Sequence, residues 1–324
     1  MTAPAGDPLE TAQQTRADLP SAVPWRAVIT FVAVAYGLAW LIALPMWISP
    51  GVSAAAFLMV TPALATLVVV FAMRVPARER LRSLGVWPLR PAKRVVGAMV
   101  AALFGPMLVV LLTIAVSAAL GWLQLDLVHF SGFAEMNAAA LPPGTDAVSP
   151  QLLIAMQLAL VPIVAILPNS IFALGEEIGW RGWLLPALRP LGTWPALVLS
   201  GAIWGLWHMP VTLLGHNFGL TDWRGVALMT TGGVAWGVLL GWMRLRTGSL
   251  WPAVIAHGAL NASGGAVLLV FAAGTDPSLA LVNPMGVAGW IVLGAVIIAL
   301  AVTGQFRTQP TLAARPEHAA HAPR

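Results

Sequence analysis

Two adjacent glutamates lie inside an apolar stretch, and they are the first residues of this chain that suggest chemistry. Glu176 and Glu177 belong to the run IFALGEEIGWRGWLL. A charged side chain near the centre of a bilayer costs about 2.5 to 3.5 kcal/mol, so such residues are usually kept for function. At helical spacing Arg181 lies four residues after Glu177 and can pair with it, whereas Glu176 points about 100° away. A purely structural ion pair at the membrane edge would account for Glu177 but would leave Glu176 unexplained.

Two histidines and an asparagine lie in other apolar segments. His208 belongs to GAIWGLWHMP, and His257 to PAVIAHGALNAS, in which Asn261 follows four residues later on the same helical face. One buried histidine is usually only hydrogen-bonded, but two histidines in separate segments, with carboxylates in a third, indicate a shared polar site. Counted at about 1.5 Å per residue, Glu176, His208 and His257 lie about 16 to 21 Å from the ends of their segments, at similar depth.

These residue types suit hydrolysis by an activated water molecule. The chain has no HExxH sequence, the pattern in which two histidines and a glutamate of one helix bind zinc. Groups on three helices could still build that chemistry: His208, His257 and Asn261, with Glu176, could bind a divalent metal ion or orient a water molecule directly. Glu176 could then take the proton of the water as it attacks a carbonyl. An imidazole or the asparagine amide could donate a hydrogen bond to the developing oxyanion.

The composition places this chemistry in a membrane. Of 324 residues, 59% are hydrophobic and only 9% are charged, and the mean hydropathy is +0.84, whereas soluble domains carry about 25% charged residues. These values exclude a soluble enzyme, a disordered chain and a nucleic-acid binder. The chain contains no cysteine, which excludes disulfides, thiolate metal sites, a cysteine nucleophile and a lipid anchor on cysteine.

The apolar residues form eight segments long enough to cross a hydrocarbon core, which needs about 20 residues. Only helices or closed barrels can cross, and these lengths are helical, so the predicted fold class is all-α, a polytopic membrane bundle of about eight transmembrane helices. The fourth segment contains Pro162 and Pro168 and is predicted to be kinked or split in two. We expect a disordered cytoplasmic tail at 1–25, one transmembrane catalytic domain at 26–305 with its motifs at 171–265, and a cytoplasmic tail at 306–324. The eight segments are 27–48, 52–73, 95–122, 152–175, 194–214, 226–243, 251–273 and 286–304.

The basic residues predict the orientation. The loop at 74–94 contains seven Lys and Arg residues against a single acidic one, whereas the stretch at 123–149 contains no Lys or Arg. Cytoplasmic loops carry the excess of Lys and Arg, so the loop at 74–94 should be cytoplasmic. Alternation over eight crossings then places both termini in the cytoplasm.

The fourth to seventh segments resemble the CPBP family of intramembrane proteases, which includes CAAX prenyl proteases and the bacterial proteins called Abi. The first family motif, two glutamates followed by three residues and an arginine, is met by Glu176, Glu177 and Arg181. The second, usually a phenylalanine four residues before a histidine, is met by Trp204 and His208 with the aromatic residue changed. The third, a histidine four residues before an asparagine, is met by His257 and Asn261.

The resemblance implies an intramembrane endopeptidase of the bacterial plasma membrane. It implies a cavity open to the cytoplasm, with Glu176 as the base and with His208, His257 and Asn261 around the water and the scissile carbonyl. Glu177, Arg181 and Trp204 would organise the site. The expected partners are a peptide or lipid-modified protein substrate and the lipid bilayer, with no nucleic acid. Family members are described both as metalloproteases and as glutamate-dependent proteases, so Zn²⁺ or no cofactor at all is compatible with the resemblance.

Three other functions fit the same residues. A transporter or proton-conducting protein would use buried Glu and His side chains to bind ions or protons, with polar residues along a path through both leaflets. A haem protein would use His208 and His257 as axial ligands. A non-catalytic relative would keep the fold and bind a partner without cleaving it.

Overall fold

The computed structural model describes residues 21–307, except positions 50, 53, 76, 88, 90 and 143–147. Within this part the chain is built from helices joined by turns, with one isolated β-bridge between Leu125 and Phe271. The prediction of an all-α membrane bundle is confirmed, and the protein is an integral multi-pass membrane protein. The predicted tails lie almost wholly outside the described residues.

The first half of the chain forms three membrane-crossing units and two further short helices. The first crossing is a single helix, whereas the second is made of two helices separated by a turn. A short helix in the arginine-rich loop leads to the third and longest crossing. The helices are α1 (Trp25–Ile48), α2 (Ala55–Leu58), α3 (Thr61–Ala72), α4 (Ala77–Ser83), α5 (Ala92–Ala119) and α6 (Ser131–Ala140).

The second half carries all the predicted site residues. Its helices are α7 (Pro150–Val164), α8 (Ser170–Glu177), α9 (Leu185–Leu188), α10 (Thr193–Trp207), α11 (Met209–Thr212), α12 (Trp223–Thr247), α13 (Trp251–Ser263), α14 (Leu279–Val282) and α15 (Val287–Val302). Short 3₁₀ turns follow α9 and α13.

The eight predicted segments are largely helical in the described structure. Seven stretches of the described chain are long and apolar enough to span a membrane. The remaining predicted segment, 194–214, is formed by α10 and α11, which are shorter because the first helix ends at Trp207 and a new turn begins at Met209. His208 lies at this junction, so it does not continue one long helix as the sequence suggested.

The predicted break in the fourth segment is confirmed. A π-helical turn, Ala165–Asn169, separates α7 from α8, and within it Leu167 has an extended backbone (φ −141°, ψ 121°). The following residue, Pro168, has no N–H to donate to a helical hydrogen bond. A second π-helical turn, Ile178–Leu184, follows α8 directly. Glu176 and Glu177 therefore occupy a short helix bounded by two irregular turns, which are frequent at functional sites.

The bundle has two distinct ends, which we call the arginine face and the far face. At the arginine face, Arg244 near the end of α12 donates to the carbonyl of Ser83 at 3.2 Å. Trp194 packs against Phe306 with the rings tilted by 35° and their centroids 4.5 Å apart. At the far face, the indole of Trp47 donates to the carbonyl of Pro210 at 3.0 Å. The arginine face comprises the described residues of the loop at 74–94 and the turns at 189–193, 248–250 and 303–307. The far face comprises the described residues of the loops at 49–54 and 120–149, and the loops at 213–222 and 264–286.

Glycines allow α10 and α12 to pack backbone against backbone. A Cβ added at Gly233 would lie 2.7 Å from the Cα of Gly205, and one at Gly201 would lie 2.8 Å from the Cα of Val234. Small residues at helix crossings in membranes permit this approach. The contact fixes the rotation of α10 and hence the direction in which Trp204 points.

We expect Gly233→Ala to destabilise the protein by about 1 to 3 kcal/mol, because an added methyl group in a tight interface forces the helices apart. The measurement is thermal unfolding of the purified protein in detergent. The matched control is Gly97→Ala in α5, where an added Cβ meets nothing within 4 Å. Equal stability of the two variants would contradict the assigned role of the contact.

Candidate active site

Glu176 is buried and held by two tryptophans. Only 2% of the side chain is exposed. Its Oε2 atom accepts a hydrogen bond from Trp204 Nε1 at 2.6 Å and another from Trp180 Nε1 at 3.2 Å. Both bonds go to one oxygen, so the carboxyl group is oriented while Oε1 is left for other partners. Trp180 lies four residues after Glu176, a spacing from which this contact could have been predicted.

Glu177 forms the ion pair that its spacing predicts. Its Oε1 atom accepts from Arg181 Nη1 at 2.7 Å and lies 2.9 Å from His257 Nδ1. All three side chains are nearly inaccessible to solvent. The Arg181 guanidinium also stacks over the Trp204 ring, 4.4 Å from its centroid. Glu177 therefore links the helix that carries the carboxylates to the helix that carries His257.

Both predicted histidines are fixed through Nδ1. His208 Nδ1 lies 2.9 Å from the carbonyl oxygen of Trp204, and a carbonyl can only accept, so Nδ1 carries the hydrogen. His257 Nδ1 faces the Glu177 carboxylate in the same way. In each ring the second nitrogen, Nε2, is then the atom available for chemistry. The Trp204 indole contacts both imidazoles edge-on, with ring centroids 5.6 Å from His208 and 5.4 Å from His257.

A cavity of about 320 Å³ brings the predicted catalytic residues together. Glu176, His208, His257 and Asn261 all line it, as does Trp204. Asn261 is exposed to this space, one helical turn beyond His257. Glu177 and Arg181 do not line the cavity, but they contact His257 and Trp204, which do. The four side chains predicted from three separate segments therefore share one cavity.

Sequence reasoning missed three polar residues that also line the cavity. His216 and Asn217 come from the loop after α11, and Asn283 from the loop before α15. Polar residues are ordinary in loops, so their types gave no signal. Arg244 was also missed as a site element, because its place near a basic turn suggested a role in topology alone. It is buried and donates to the carbonyls of Arg181, Ser83 and Gly248.

The donor set does not fit a zinc ion well. Structural and catalytic zinc sites take three or four protein ligands, and in the part of the chain that the structure describes no three His, Cys, Asp or Glu side chains are grouped to hold a metal. The indole N–H groups of Trp180 and Trp204 both donate to Oε2 of Glu176, so only Oε1 of this carboxylate is left as a ligand for a cation. Zn²⁺ binding by His208, His257, Asn261 and Glu176 thus stays a prediction from the sequence.

The cavity lies in the half of the bundle that is nearer the far face. Its outer lining comes from 55–59, 216–217, 264–265 and 283–285, all in or beside far-face loops. Below Glu176, towards the arginine face, Trp180 and Leu184 are fully buried, and Arg244 is 2% exposed. The predicted opening of the cavity to the cytoplasm and the predicted cytoplasmic termini stay predictions from the sequence.

Comparison with protein families supports the resemblance. Residues 152–263 match the family model described as type II CAAX prenyl endopeptidase Rce1-like. The matched segment contains Glu176, Trp204, His208, His257 and Asn261. The resemblance to the CPBP and CAAX protease family is thereby confirmed over this segment, which is less than half of the chain, and a peptidase activity is supported at the level of the family. A search of curated proteins found no match.

We expect Arg181→Met to cost about 3 to 5 kcal/mol of stability, because it leaves the buried Glu177 carboxylate without its cation. The double variant Glu177→Gln/Arg181→Met removes both charges and should recover most of that loss. Unfolding midpoints in detergent would measure the difference. A double variant less stable than Arg181→Met would contradict this account of the ion pair.

Proposed function

We propose that this protein is an intramembrane endopeptidase in which Glu176 activates a water molecule. The observation that carries the proposal is the shared cavity: one carboxylate and two imidazoles with free Nε2 atoms face the same space inside an apolar bundle. The family match, which implies a peptidase and a prenylated protein substrate in the membrane, supports the same conclusion.

The reaction begins with Glu176. Its Oε2 is occupied by two indole N–H donors, so Oε1 takes the proton when a water molecule attacks the scissile carbonyl carbon. The water oxygen forms the new C–O bond, and the carbonyl oxygen becomes the oxyanion. Glu176 then returns the proton to the amide nitrogen as the C–N bond breaks, and general acid–base transfer of this kind contributes about 10² to 10⁴ in rate.

The histidines and Asn261 position the reacting atoms. His208 holds its Nδ1–H on a backbone carbonyl, so its Nε2 lone pair accepts the second hydrogen of the water. The Asn261 amide, exposed in the cavity, donates to the oxyanion. His257 is held by the Glu177 carboxylate and lines the cavity together with His208 and Asn261. No step in this scheme needs a metal ion.

The shape of the cavity argues against the transport alternative. A transporter needs polar groups along a route through both leaflets. Here the polar groups occupy one half of the bundle, and the other half is closed below Glu176 by a buried layer that includes Trp180, Leu184 and Arg244. The cavity is closed at one end, and this shape suits catalysis better than transport.

We expect Glu176→Gln and His208→Ala each to lower peptide cleavage by at least 10²-fold, because each removes a group that handles the proton of the water. The assay is cleavage of a fluorogenic peptide anchored in proteoliposomes, with peptidomics of cells carrying wild type or Glu176→Gln to identify natural substrates. Glu79→Gln, in the loop at 74–94, is the charge-matched control and should cleave like wild type. Full activity of Glu176→Gln would refute the proposal.

We expect Trp204→Phe to lower kcat by about 10- to 100-fold with little change in KM. The substitution keeps the aromatic packing and removes the 2.6 Å bond to Glu176, and hydrogen bonds to charged groups are worth about 1.5 to 3 kcal/mol. Trp242→Phe is the matched control, since its Nε1 is buried without a hydrogen-bond partner in the described structure. A similar fall in kcat in both variants would show that the bond to Glu176 is unimportant.

A further inference from the structure

A third histidine lines the cavity of the candidate active site, and the proposed mechanism does not use it. His216 comes from the loop after α11, and its side chain is exposed to the cavity. His208 and His257 each have one ring nitrogen held by a hydrogen bond, whereas no hydrogen bond to the His216 ring is present in the described part of the chain. Both ring nitrogens of His216 are therefore available to a ligand in the cavity.

The loop after α11 folds back and returns His216 to the site. The backbone N–H of His216 donates to the carbonyl of Val211 at 3.1 Å, so the chain turns back directly after the short helix. Phe218 is buried and anchors the turn in the bundle. As a result, the imidazoles of His216 and His208 are close enough to interact electrostatically. His216 thus shares the surroundings of a histidine to which the proposed mechanism assigns a role.

Two asparagines hold the loop in this position. Asn217 has a left-handed backbone (φ 69°), a conformation that is uncommon for residues other than glycine but that asparagine tolerates. Its carbonyl accepts a hydrogen bond from Asn283 Nδ2 at 3.0 Å, and its own Nδ2 donates to Met229 Sδ at 3.4 Å. Asn283 is fixed in turn, because its Oδ1 accepts from Met285 N at 2.8 Å. Backbone of this kind persists only where its surroundings hold it, and it is concentrated at ligand-binding sites.

The surroundings of His216 favour an uncharged ligand group. Desolvation by the surrounding protein lowers the pKa of His216, so its imidazole is neutral at pH 7, with one N–H donor and one acceptor nitrogen. Among the described residues that line the cavity, none is Lys, Arg or Asp, and Glu176 is the only carboxylate. The main chain of a peptide offers the matching groups, a carbonyl oxygen for the donor and an N–H for the acceptor.

We propose that His216 is a substrate-binding residue that hydrogen-bonds the main chain of a peptide in the cavity, beside the bond to be cleaved. The inference rests on the proposed peptidase function for the fate of that peptide, and the ligand class is an uncharged peptide segment. His208 and Asn261 act on the water and the oxyanion, whereas His216 contacts the flanking peptide groups. Because its loop is held in place, this contact selects which peptide bond of the segment is presented to Glu176.

We expect His216→Ala to raise KM for the peptide anchored in proteoliposomes about 3- to 10-fold with little change in kcat. The loss of one neutral hydrogen bond weakens binding of the ground state and the transition state equally. His216→Gln, whose amide keeps a donor and an acceptor, should recover most of the affinity. His129→Ala, at an exposed histidine outside the cavity lining, is the matched control and should behave like wild type. An unchanged KM in His216→Ala would overturn the inference.

The charge of the recognised group is tested with the same peptide, its C-terminal carboxylate either free or amidated. We expect His216→Ala to raise KM by the same factor for both forms, because the ring binds the main chain. A rise confined to the free carboxylate would assign the ring to an anion and would contradict the proposal.

The role of the loop is tested with Asn283→Ala, which removes the bond to the Asn217 carbonyl and should raise KM by a similar factor. In the double variant with His216→Ala we expect no further rise, because Asn283 acts through the position of His216. Factors that multiply in the double variant would show that the two residues act independently, against the assigned role of the loop.

Peptide contact is also tested without catalysis, since the chain has no cysteine and a single introduced cysteine is its only thiol. His216→Cys and the control His129→Cys are each combined with Glu176→Gln and treated with a maleimide in detergent, with and without the amidated peptide. We expect the peptide to slow labelling at position 216 at least fivefold and to leave position 129 unchanged. Absence of protection at position 216 would overturn the inference even if the wild-type protein cleaves peptides. Protection without any cleavage by the wild-type protein would instead overturn the proposed function and leave the peptide-binding role of this loop supported.

Discussion

The site depends on keeping two adjacent carboxylates inside an apolar bundle. Each is satisfied differently: Glu177 by the guanidinium of Arg181 and the ring of His257, and Glu176 by two indole N–H groups. A buried charge without partners is very costly, so these bonds fix the relative positions of the helices that supply them. The same contacts that stabilise the buried charges also orient the side chains, so the residues that stabilise the bundle are those on which the proposed catalysis depends.

Trp204 connects these groups more than any other residue. It donates to Glu176, packs under the Arg181 guanidinium, touches both imidazoles and offers its backbone carbonyl to His208. The family pattern usually has a phenylalanine at this place, which could supply the packing but not the hydrogen bond. The tryptophan therefore gives this chain an extra means of holding the Glu176 carboxylate, and the glycine contact between α10 and α12 keeps the indole in place.

The asymmetry of the bundle gives the site its environment. Buried side chains and the bonds of Arg244 close one half, while loops with amides and exposed small residues form the other. In the proposed mechanism a water molecule and a peptide then meet Glu176 from one side only. The same arrangement would keep water available to Glu176 without opening a path for ions through the membrane.

The sequence by itself determined the class of the protein and most of its membrane-spanning helices, and it predicted the residues of the proposed chemistry. Long apolar segments must be helical, because the backbone groups of a segment in lipid have to form their hydrogen bonds within that segment. The prolines at 162 and 168 indicated where the fourth segment breaks. The four-residue spacing of Glu177 and Arg181 predicted their ion pair. Only the tertiary structure decided that Glu176, His208, His257 and Asn261 face one cavity and which end of it is closed. The rotation of each helix and the course of the loops arise from contacts between segments distant in sequence, such as those of Trp204, Arg244 and Asn283, and helical periodicity carries no information about them.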